Sequence, residues 1–104
     1  MIKETTLATF EEDTKEGLVL LDFWAPWCTN CRMELPFLEK LDAQRGEEVK
    51  IVKVNVDVEE DLAKKFEVQT LPTLIYFKDG QEVQKTVGIR PFAKLMADID
   101  TLKA

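Results

Sequence analysis

A nearly continuous apolar run, Leu18–Trp24, constrains the fold of this chain more than any other stretch of its sequence. Such a run is typical of a central strand that is covered on both faces, as in a parallel α/β sheet. Asp22 is its one charged residue, and an unpaired carboxylate in a buried strand costs several kcal/mol unless it takes up a proton. We therefore predict a central strand with Asp22 as a buried titrating group, the alternative being a strand-end carboxylate that faces water.

The two cysteines of the chain, Cys28 and Cys31, follow this strand and precede a helical pattern. Because the chain has no histidine, it has too few ligands for a structural zinc site or a four-thiolate iron–sulfur cluster of its own. A structural disulfide between them would close a very short loop, and the stabilisation by a disulfide grows with loop length. The spacing therefore indicates a redox-active dithiol, with a metal cluster bridged between two chains as an alternative.

The position of the two thiols along the predicted helix distinguishes them. Cys28 lies at the helix start, where unpaired backbone N–H groups and the positive end of the helix dipole favour an anion. Cys31 lies one turn later, where we expect it to be further inside and less favoured as a thiolate. Because the thiolate is the nucleophile, we predict that Cys28 attacks and Cys31 resolves.

Hydrophobic periodicity and turn residues divide the chain into alternating strands and helices. The predicted elements are a short strand at 2–5, a helix opened by Thr9 and ending near Gly17, the strand 18–24, a helix from about Asn30 to Arg45, a strand over 49–57, a helix over 59–66, strands over 74–77 and 82–87, and a helix over 91–102. The order β-α-β-α-β-α-β-β-α implies parallel neighbours followed by an antiparallel hairpin at Asp79-Gly80. The predicted fold is one α/β domain over residues 1–104, with a mixed central β-sheet and helices on both faces.

Local patterns also predict how the helices are capped and buried. Thr9 and Glu12 have the spacing of a capping box, in which Glu12 reaches back to the helix start. Apolar residues at helical spacing predict two core-facing stripes. The stripe of the second helix comprises Met33, Phe37, Leu38 and Leu41, and that of the last comprises Phe92, Leu95, Met96, Ile99 and Leu102.

The composition excludes several classes of partner. The formal net charge of −6 argues against nucleic acid or an anionic membrane surface, because such partners need clustered Lys and Arg. No stretch approaches the roughly 20 apolar residues of a membrane span, and the first residues lack the apolar core of a signal peptide. The four glycines stand apart from one another, so no glycine-rich nucleotide loop is present. We expect a cytoplasmic monomer that binds no cofactor and no metal itself, unless a leader has been removed.

Several phrases of the sequence occur together in a distinctive order and spacing. They are Val19–Cys28 with Cys31, then Pro36, Lys53–Asp57, Leu71-Pro72-Thr73, Phe77–Gly80 and Gly88. In these phrases the chain resembles the thioredoxin family, which implies the thioredoxin fold and protein-disulfide reductase activity by reversible dithiol/disulfide exchange. The departure lies between the cysteines, where thioredoxins typically carry Gly-Pro and this chain carries Thr29 and Asn30.

The resemblance implies roles for residues around the dithiol. Asp22 would act as the base for Cys31, through water, and Lys53 would modulate Asp22 by its charge. Pro72 would be cis and face the cysteines, so that the backbone at Leu71 can pair with an extended substrate segment. A flat apolar patch around Cys28 would comprise Trp27, Pro72, Val87, Gly88 and Ile89.

The resemblance also implies two kinds of partner. Disulfide-containing proteins would be the substrates, and a thioredoxin reductase would recharge the chain with electrons from NADPH or ferredoxin. A disulfide isomerase or oxidant is an alternative because of Thr29 and Asn30. A non-catalytic thioredoxin-fold binding module is a further alternative from another class.

Thr29 and Asn30 are predicted to make the chain less reducing than a Gly-Pro version. Either side chain can cap the helix, and either can donate a hydrogen bond to a Cys28 thiolate, which stabilises the reduced form. For a two-electron couple roughly 30 mV corresponds to ~1.4 kcal/mol, so one hydrogen bond has a measurable effect. In redox titrations we expect the double variant Thr29→Gly/Asn30→Pro to have a more negative potential than the parent. An equal or higher potential would leave these residues with helix capping alone.

Overall fold

Strand β2 (Leu18–Trp24) lies at the centre of a five-stranded sheet in the computed structural model of the chain, which describes residues 2–104. The other elements are β1 (Lys3–Glu4), α1 (Phe10–Thr14), α2 (Thr29–Arg45), β3 (Lys50–Asn55), α3 (Glu60–Lys65), β4 (Thr73–Lys78), β5 (Gln81–Val87) and α4 (Phe92–Leu102). The strand order is β1-β3-β2-β4-β5, with β1, β3 and β2 parallel and β4 and β5 antiparallel to their neighbours. The predicted element order and mixed sheet are thus confirmed.

Strand β2 is buried on both faces, which explains its apolar sequence. Leu18 and Leu20 pack in one core with residues of α2 and α4, whereas Val19, Leu21 and Phe23 pack in a second core with residues around α1 and α3. Because successive side chains of a strand point to opposite faces, residue 22 belongs to the row of Leu18 and Leu20. The predicted helical cover on both faces is confirmed, and the fold places a carboxyl group between the sheet and α2.

The core face of α2 differs from the prediction at one position. Met33 is 58% exposed, whereas the neighbouring Glu34 is 1% exposed. The buried stripe runs through Cys31, Glu34, Leu38 and Leu41, a spacing of three or four residues that a single helix face requires. Met33 is predicted to face the core because it is apolar. The direction of the stripe is set by its other members, and this direction turns a carboxylate inward.

The predicted capping box at the start of α1 is wrong. The side chain of Thr9 makes no cap hydrogen bond to the helix, and Glu12 forms an ion pair with Lys15 at 2.9 Å. Thr9 Oγ1 instead accepts a hydrogen bond from the backbone N–H of Thr6 at 3.0 Å. Threonine hydroxyls compete in this way for nearby backbone groups outside the helix, so the spacing alone did not decide the partner.

The hairpin between β4 and β5 has the predicted turn residues. Asp79 and Gly80 both have positive φ, at 50° and 85°, as the favoured two-residue hairpin turns require. Asp79 also accepts a hydrogen bond from the backbone N–H of Gly17 at 2.8 Å through its Oδ1. The turn is therefore fixed to the segment that enters β2.

The buried Asp13 in α1 makes the stability of the protein depend on pH. Its buried carboxylate accepts hydrogen bonds from Thr5 Oγ1 at 2.7 Å and Lys3 Nζ at 2.9 Å, and Lys50 Nζ lies 3.4 Å away. Burial alone would raise the pKa of Asp13, but the hydrogen bonds from Thr5 and Lys3 and the charge of Lys50 lower it to about 2. Since this pKa lies below that of the unfolded chain, the ionised form contributes stability at neutral pH that is lost as the pH falls from about 4 towards 2.

We expect Asp13→Asn to lower the free energy of unfolding at neutral pH by about 1–2 kcal/mol. The difference from the parent should shrink as the pH falls through the range in which Asp13 is protonated. Urea denaturation at a series of pH values measures both effects, with Glu16→Gln as an exposed control. A difference that stays constant down to the lowest pH would contradict this account.

Candidate functional site

The two cysteines form a disulfide at the start of α2. Their Cα atoms are 5.3 Å apart, and Cys28 is the N-cap residue of the helix. The backbone N–H of Cys31 donates a hydrogen bond to Cys28 Sγ at 3.1 Å. A backbone donor at the positive end of the helix is therefore already directed at this sulfur, where it stabilises negative charge.

The sequence suggested that Thr29 or Asn30 caps the helix, but neither residue does so. Thr29 is the first helical residue, and both Thr29 and Asn30 are exposed. The sulfur of Cys28 occupies the capping position because the chain leaves β2 through a tight turn, in which the Cys28 N–H donates to the Ala25 carbonyl at 3.1 Å. Thr29 Oγ1 accepts a long hydrogen bond of 3.4 Å from Arg32. Their predicted effect on the potential stays a prediction.

The burial of the two cysteines also differs from expectation. Cys28 is 6% exposed and Cys31 is 7% exposed, so Cys31 is not the more deeply buried residue. What distinguishes the sulfurs is the hydrogen bond, which Cys28 Sγ accepts from the backbone of Cys31. The difference between the two thiols is therefore electrostatic rather than one of exposed area.

Asp22 lies behind the disulfide, as the sequence predicted. It is 3% exposed, and its Oδ1 is buried with no hydrogen-bond partner among residues 2–104. Burial and the charge of Glu34 raise the pKa of Asp22 to about 8, and the charge of Lys53 opposes this rise. A cavity of about 50 Å³ is lined by both Asp22 and Cys31 and is large enough for a water molecule. The arrangement suits proton transfer between the two groups.

Lys53 lies beside Asp22 on the neighbouring strand. The two residues are partners in the register of β2 and β3, and both line the same cavity. The Lys53 ammonium lies 4.0 Å from the centre of the Trp24 ring, and no ion pair with Asp22 is found in the described part of the chain. From this position the charge of Lys53 lowers the pKa of Asp22 without an ion pair. Trp24 packs against the cysteines.

The residues of the predicted substrate patch differ in their exposure. Trp27 and Val87 are 66% and 58% exposed, and the Trp27 indole N–H donates to the carboxylate of Asp57 at 3.0 Å. Gly88 and Ile89 are half-buried, but Pro72 is buried and so adds no surface to the patch. The connection that follows β5 lies against Pro72, where the Gly88 N–H donates to the Pro72 carbonyl at 2.8 Å.

The segment before β4 nevertheless reaches the dithiol. The Leu71–Pro72 peptide bond is cis, as predicted. The half-buried Leu71 packs against the cluster formed by Ala25, Cys28 and Cys31. The backbone at Leu71 is therefore next to the cysteines, while Pro72 points into the protein.

Sequence reasoning missed a second set of polar residues on the same face of the sheet. Glu34 and Asp98 are 1% and 6% exposed, and Tyr76 is fully buried. The guanidinium of Arg90 donates to both carboxylate oxygens of Asp98 at 2.6 and 2.7 Å, and the Tyr76 hydroxyl donates to Asp98 Oδ2 at 3.2 Å. The available signal for Glu34 was its spacing of three residues from Cys31, which places both on one helix face.

Two kinds of feature were not found among residues 2–104. No group of three or more His, Cys, Asp or Glu side chains is arranged to hold a metal ion. No helix in this range has the length and apolar character needed to cross a membrane.

Known proteins similar to the chain are thioredoxins. The family model named Thioredoxin matches residues 1–101. A thioredoxin of Listeria monocytogenes is 50% identical over 95 residues, which cover 91% of this chain and 92% of the relative. A thioredoxin of Bacillus subtilis is 47% identical over 90 residues, or 86% of each chain.

Solved structures of thioredoxins have the same fold as this chain. A thioredoxin of Malassezia sympodialis has a TM-score of 0.90 and 33% identity, covering 100% of this chain and 92% of that one. A mutant thioredoxin from Halobacterium salinarum has a TM-score of 0.92 and 30% identity, covering 99% and 91%.

The raised pKa of Asp22 makes stability depend on pH. Between about pH 4, where a carboxyl group ionises in the unfolded chain, and pH 8, the folded protein binds more protons than the unfolded chain, so stability falls as the pH rises. Relative to the parent, we expect Asp22→Asn to gain stability across this range by at most about 1.4 kcal/mol per pH unit. Thermal unfolding of the parent and the variant, both with the disulfide formed, is measured at several pH values. The substitution Glu39→Gln at an exposed position is the control. Parallel pH profiles for parent and variant would contradict this trend.

Proposed function

Because the chain belongs to the thioredoxin family and is a thioredoxin-like protein-disulfide reductase, we propose that Cys28 is its attacking and Cys31 its resolving cysteine. The observation that carries this assignment is the hydrogen bond from the Cys31 N–H to Cys28 Sγ. Once the disulfide is reduced, the same donor and the helix start favour the thiolate at Cys28. Cys31 Sγ has no comparable position at the helix end and depends on a base.

The reaction proceeds by two thiol–disulfide exchanges. The Cys28 thiolate attacks one sulfur of a substrate disulfide, which forms a mixed disulfide and releases the other substrate sulfur as a thiolate. Cys31 then loses its proton and attacks Cys28 Sγ, which forms the Cys28–Cys31 disulfide and releases the second substrate thiolate. Two electrons pass from the dithiol to the substrate, whose two thiolates take up protons from water.

Asp22 is the proposed base for the second exchange. A catalytic base works best when its pKa is close to that of the group it deprotonates and to the working pH. Burial raises the pKa of Asp22 to about 8, which is near that of an ordinary thiol. In the reverse direction, protonated Asp22 supplies the proton that Cys31 needs when the disulfide is reduced again. Lys53 limits the rise of this pKa through its charge.

The surface around Cys28 suits an extended segment of a protein substrate. The exposed Trp27 and Val87 provide apolar contacts, and the half-buried Gly88 and Ile89 lie on the connection that follows β5. The backbone at Leu71 can pair with the segment in the manner of an added strand. The role of Pro72 is then to shape this backbone from inside the protein.

The family also suggests the partners of this cycle. We infer that disulfide-containing proteins oxidise the dithiol and that a thioredoxin reductase, driven by NADPH or ferredoxin, reduces it again. The chain would act as a monomer in the cytoplasm and would itself bind no cofactor.

Single-turnover experiments with a protein disulfide test the assignment. We expect Cys31→Ser to accumulate the mixed disulfide, because attack proceeds without resolution, and Cys28→Ser to accumulate none. We expect Asp22→Asn to form the mixed disulfide at the parental rate but to resolve it about 10-fold or more slowly near neutral pH. Mass spectrometry of acid-quenched samples measures both steps.

Two outcomes would contradict the proposal, each on a different point. A mixed disulfide that accumulates on Cys31 in the Cys28→Ser variant would reverse the roles of the cysteines. An unchanged rate of resolution in Asp22→Asn would remove the base. Glu39→Gln is the control, because it alters an exposed carboxylate on α2, the helix that carries Cys31.

A further inference from the structure

Glu34 is a buried carboxyl group that the exchange steps above do not use. It lies one helical turn after Cys31 on the inward face of α2 and is 1% exposed. Its Oε2 accepts a hydrogen bond from the backbone N–H of Arg90 at 2.7 Å. Its Oε1 is buried with no hydrogen-bond partner in the described range. A single hydrogen bond is little compensation for a charged group in this position, which calls for a reason beyond packing.

The hydrogen bond from Arg90 ties the substrate-side connection to the helix that carries the cysteines. This connection, residues 88–90, is held at its other side by the paired Arg90 and Asp98 side chains, with Asp98 on α4. At its start, the Gly88 N–H donates to the carbonyl of Pro72. Glu34 is therefore the link between α2 and the segment that lies beside the bound substrate in the proposed function.

Glu34 also acts on Asp22 through its charge. Both face the space between the sheet and α2, and after burial the charge of Glu34 is the largest cause that raises the pKa of Asp22. The other charged groups acting on Asp22 are Lys53 on β3 and Glu4 on β1. Glu34 itself accepts from the Arg90 N–H, and its charge acts on Tyr76 on β4. Tyr76 and the Arg90 side chain in turn donate to Asp98 on α4.

The pKa values of the two carboxyl groups are both raised. Burial raises the pKa of Glu34 to about 7, and the hydrogen bond from the Arg90 N–H limits the rise. Burial and the charge of Glu34 raise the pKa of Asp22 to about 8, so each group ionises less readily when the other is already charged. Two such groups titrate as a coupled pair.

We propose that Glu34 is a positioning residue for disulfide exchange: its carboxyl group acts by charge on Asp22 behind Cys31, and its hydrogen bond to the Arg90 N–H holds the substrate-side connection. The proposal rests on the role of Asp22 as base. It deepens that role, because the ionisation of the proton acceptor behind Cys31 then depends on a second, neighbouring carboxyl group. It also connects the protonation of the core to the surface on which substrate binds.

Two substitutions separate the charge of Glu34 from its hydrogen bond. Glu34→Gln removes the charge but keeps an oxygen that can accept from the Arg90 N–H. Glu34→Leu removes both and leaves the Arg90 N–H without its acceptor. Glu39→Gln removes an exposed charge from the same helix and is the control.

The first measurement is the rate of mixed-disulfide resolution as a function of pH. We expect both Glu34 variants to shift the midpoint of the profile towards acid by about one pH unit, because Asp22 then ionises without a neighbouring charge. We expect KM for the protein disulfide to stay at the parental value in Glu34→Gln and to rise about fivefold in Glu34→Leu, which has lost one hydrogen bond. Profiles of both variants that coincide with those of the parent and Glu39→Gln would overturn the proposal.

The second measurement follows Asp22 directly and does not depend on its role as base. Carbon-13 NMR of the Asp22 carboxyl group in the full chain, with and without Glu34→Gln, reports its titration. A lower pKa in the variant supports the coupling even if Asp22→Asn were to leave the rate of resolution unchanged. An unchanged pKa overturns the coupling even if Asp22 is the base. Should Glu34→Gln not fold, Glu34→Leu provides the same comparison.

Discussion

Burial of β2 on both of its faces is the constraint on which the redox site depends. The strand is covered by α2 and α4 on one side and by α1 and α3 on the other, so Asp22 is only 3% exposed. The same burial that stabilises the core raises the pKa of Asp22 towards that of a thiol. The end of the strand leads within a few residues into α2, which places Cys28 at a helix start and Cys31 beside the cavity that Asp22 lines.

Different parts of the structure act on the charge of the two cysteines. At Cys28 the backbone acts, because the Cys31 N–H and the helix start stabilise negative charge on sulfur. At Cys31 side chains act, because the groups behind it can take up or release a proton. A backbone donor is always present, whereas carboxyl groups change charge with pH. In the proposed mechanism, attack is therefore less sensitive to the protonation of the core than resolution is.

The polar residues between the sheet and the helices connect the buried space beside Asp22 with the segment that follows β5. Glu34, Arg90, Asp98 and Tyr76 join α2, α4, β4 and the connection after β5 through hydrogen bonds and an ion pair. Buried charges of this kind cost free energy, and a well-packed apolar set would often be at least as stable. Their presence is explained if the connection must keep a defined position beside Cys28 while substrates bind and leave.

The sequence by itself determined the features that depend on local pattern: the buried strand, the dithiol at a helix start, Asp22 within the core and the hairpin at Asp79-Gly80. Only the tertiary structure decided which side chains meet across the sheet. Helical spacing turns Glu34 inward, but its partner is a backbone N–H 56 residues away, at Arg90, and no helical periodicity contains that information. Likewise Cys28 Sγ, rather than Thr29 or Asn30, caps α2 because the path of the chain out of β2 brings that atom to the free N–H groups. Local preferences limit the possible partners of a polar group, and the packing of distant elements selects one of them.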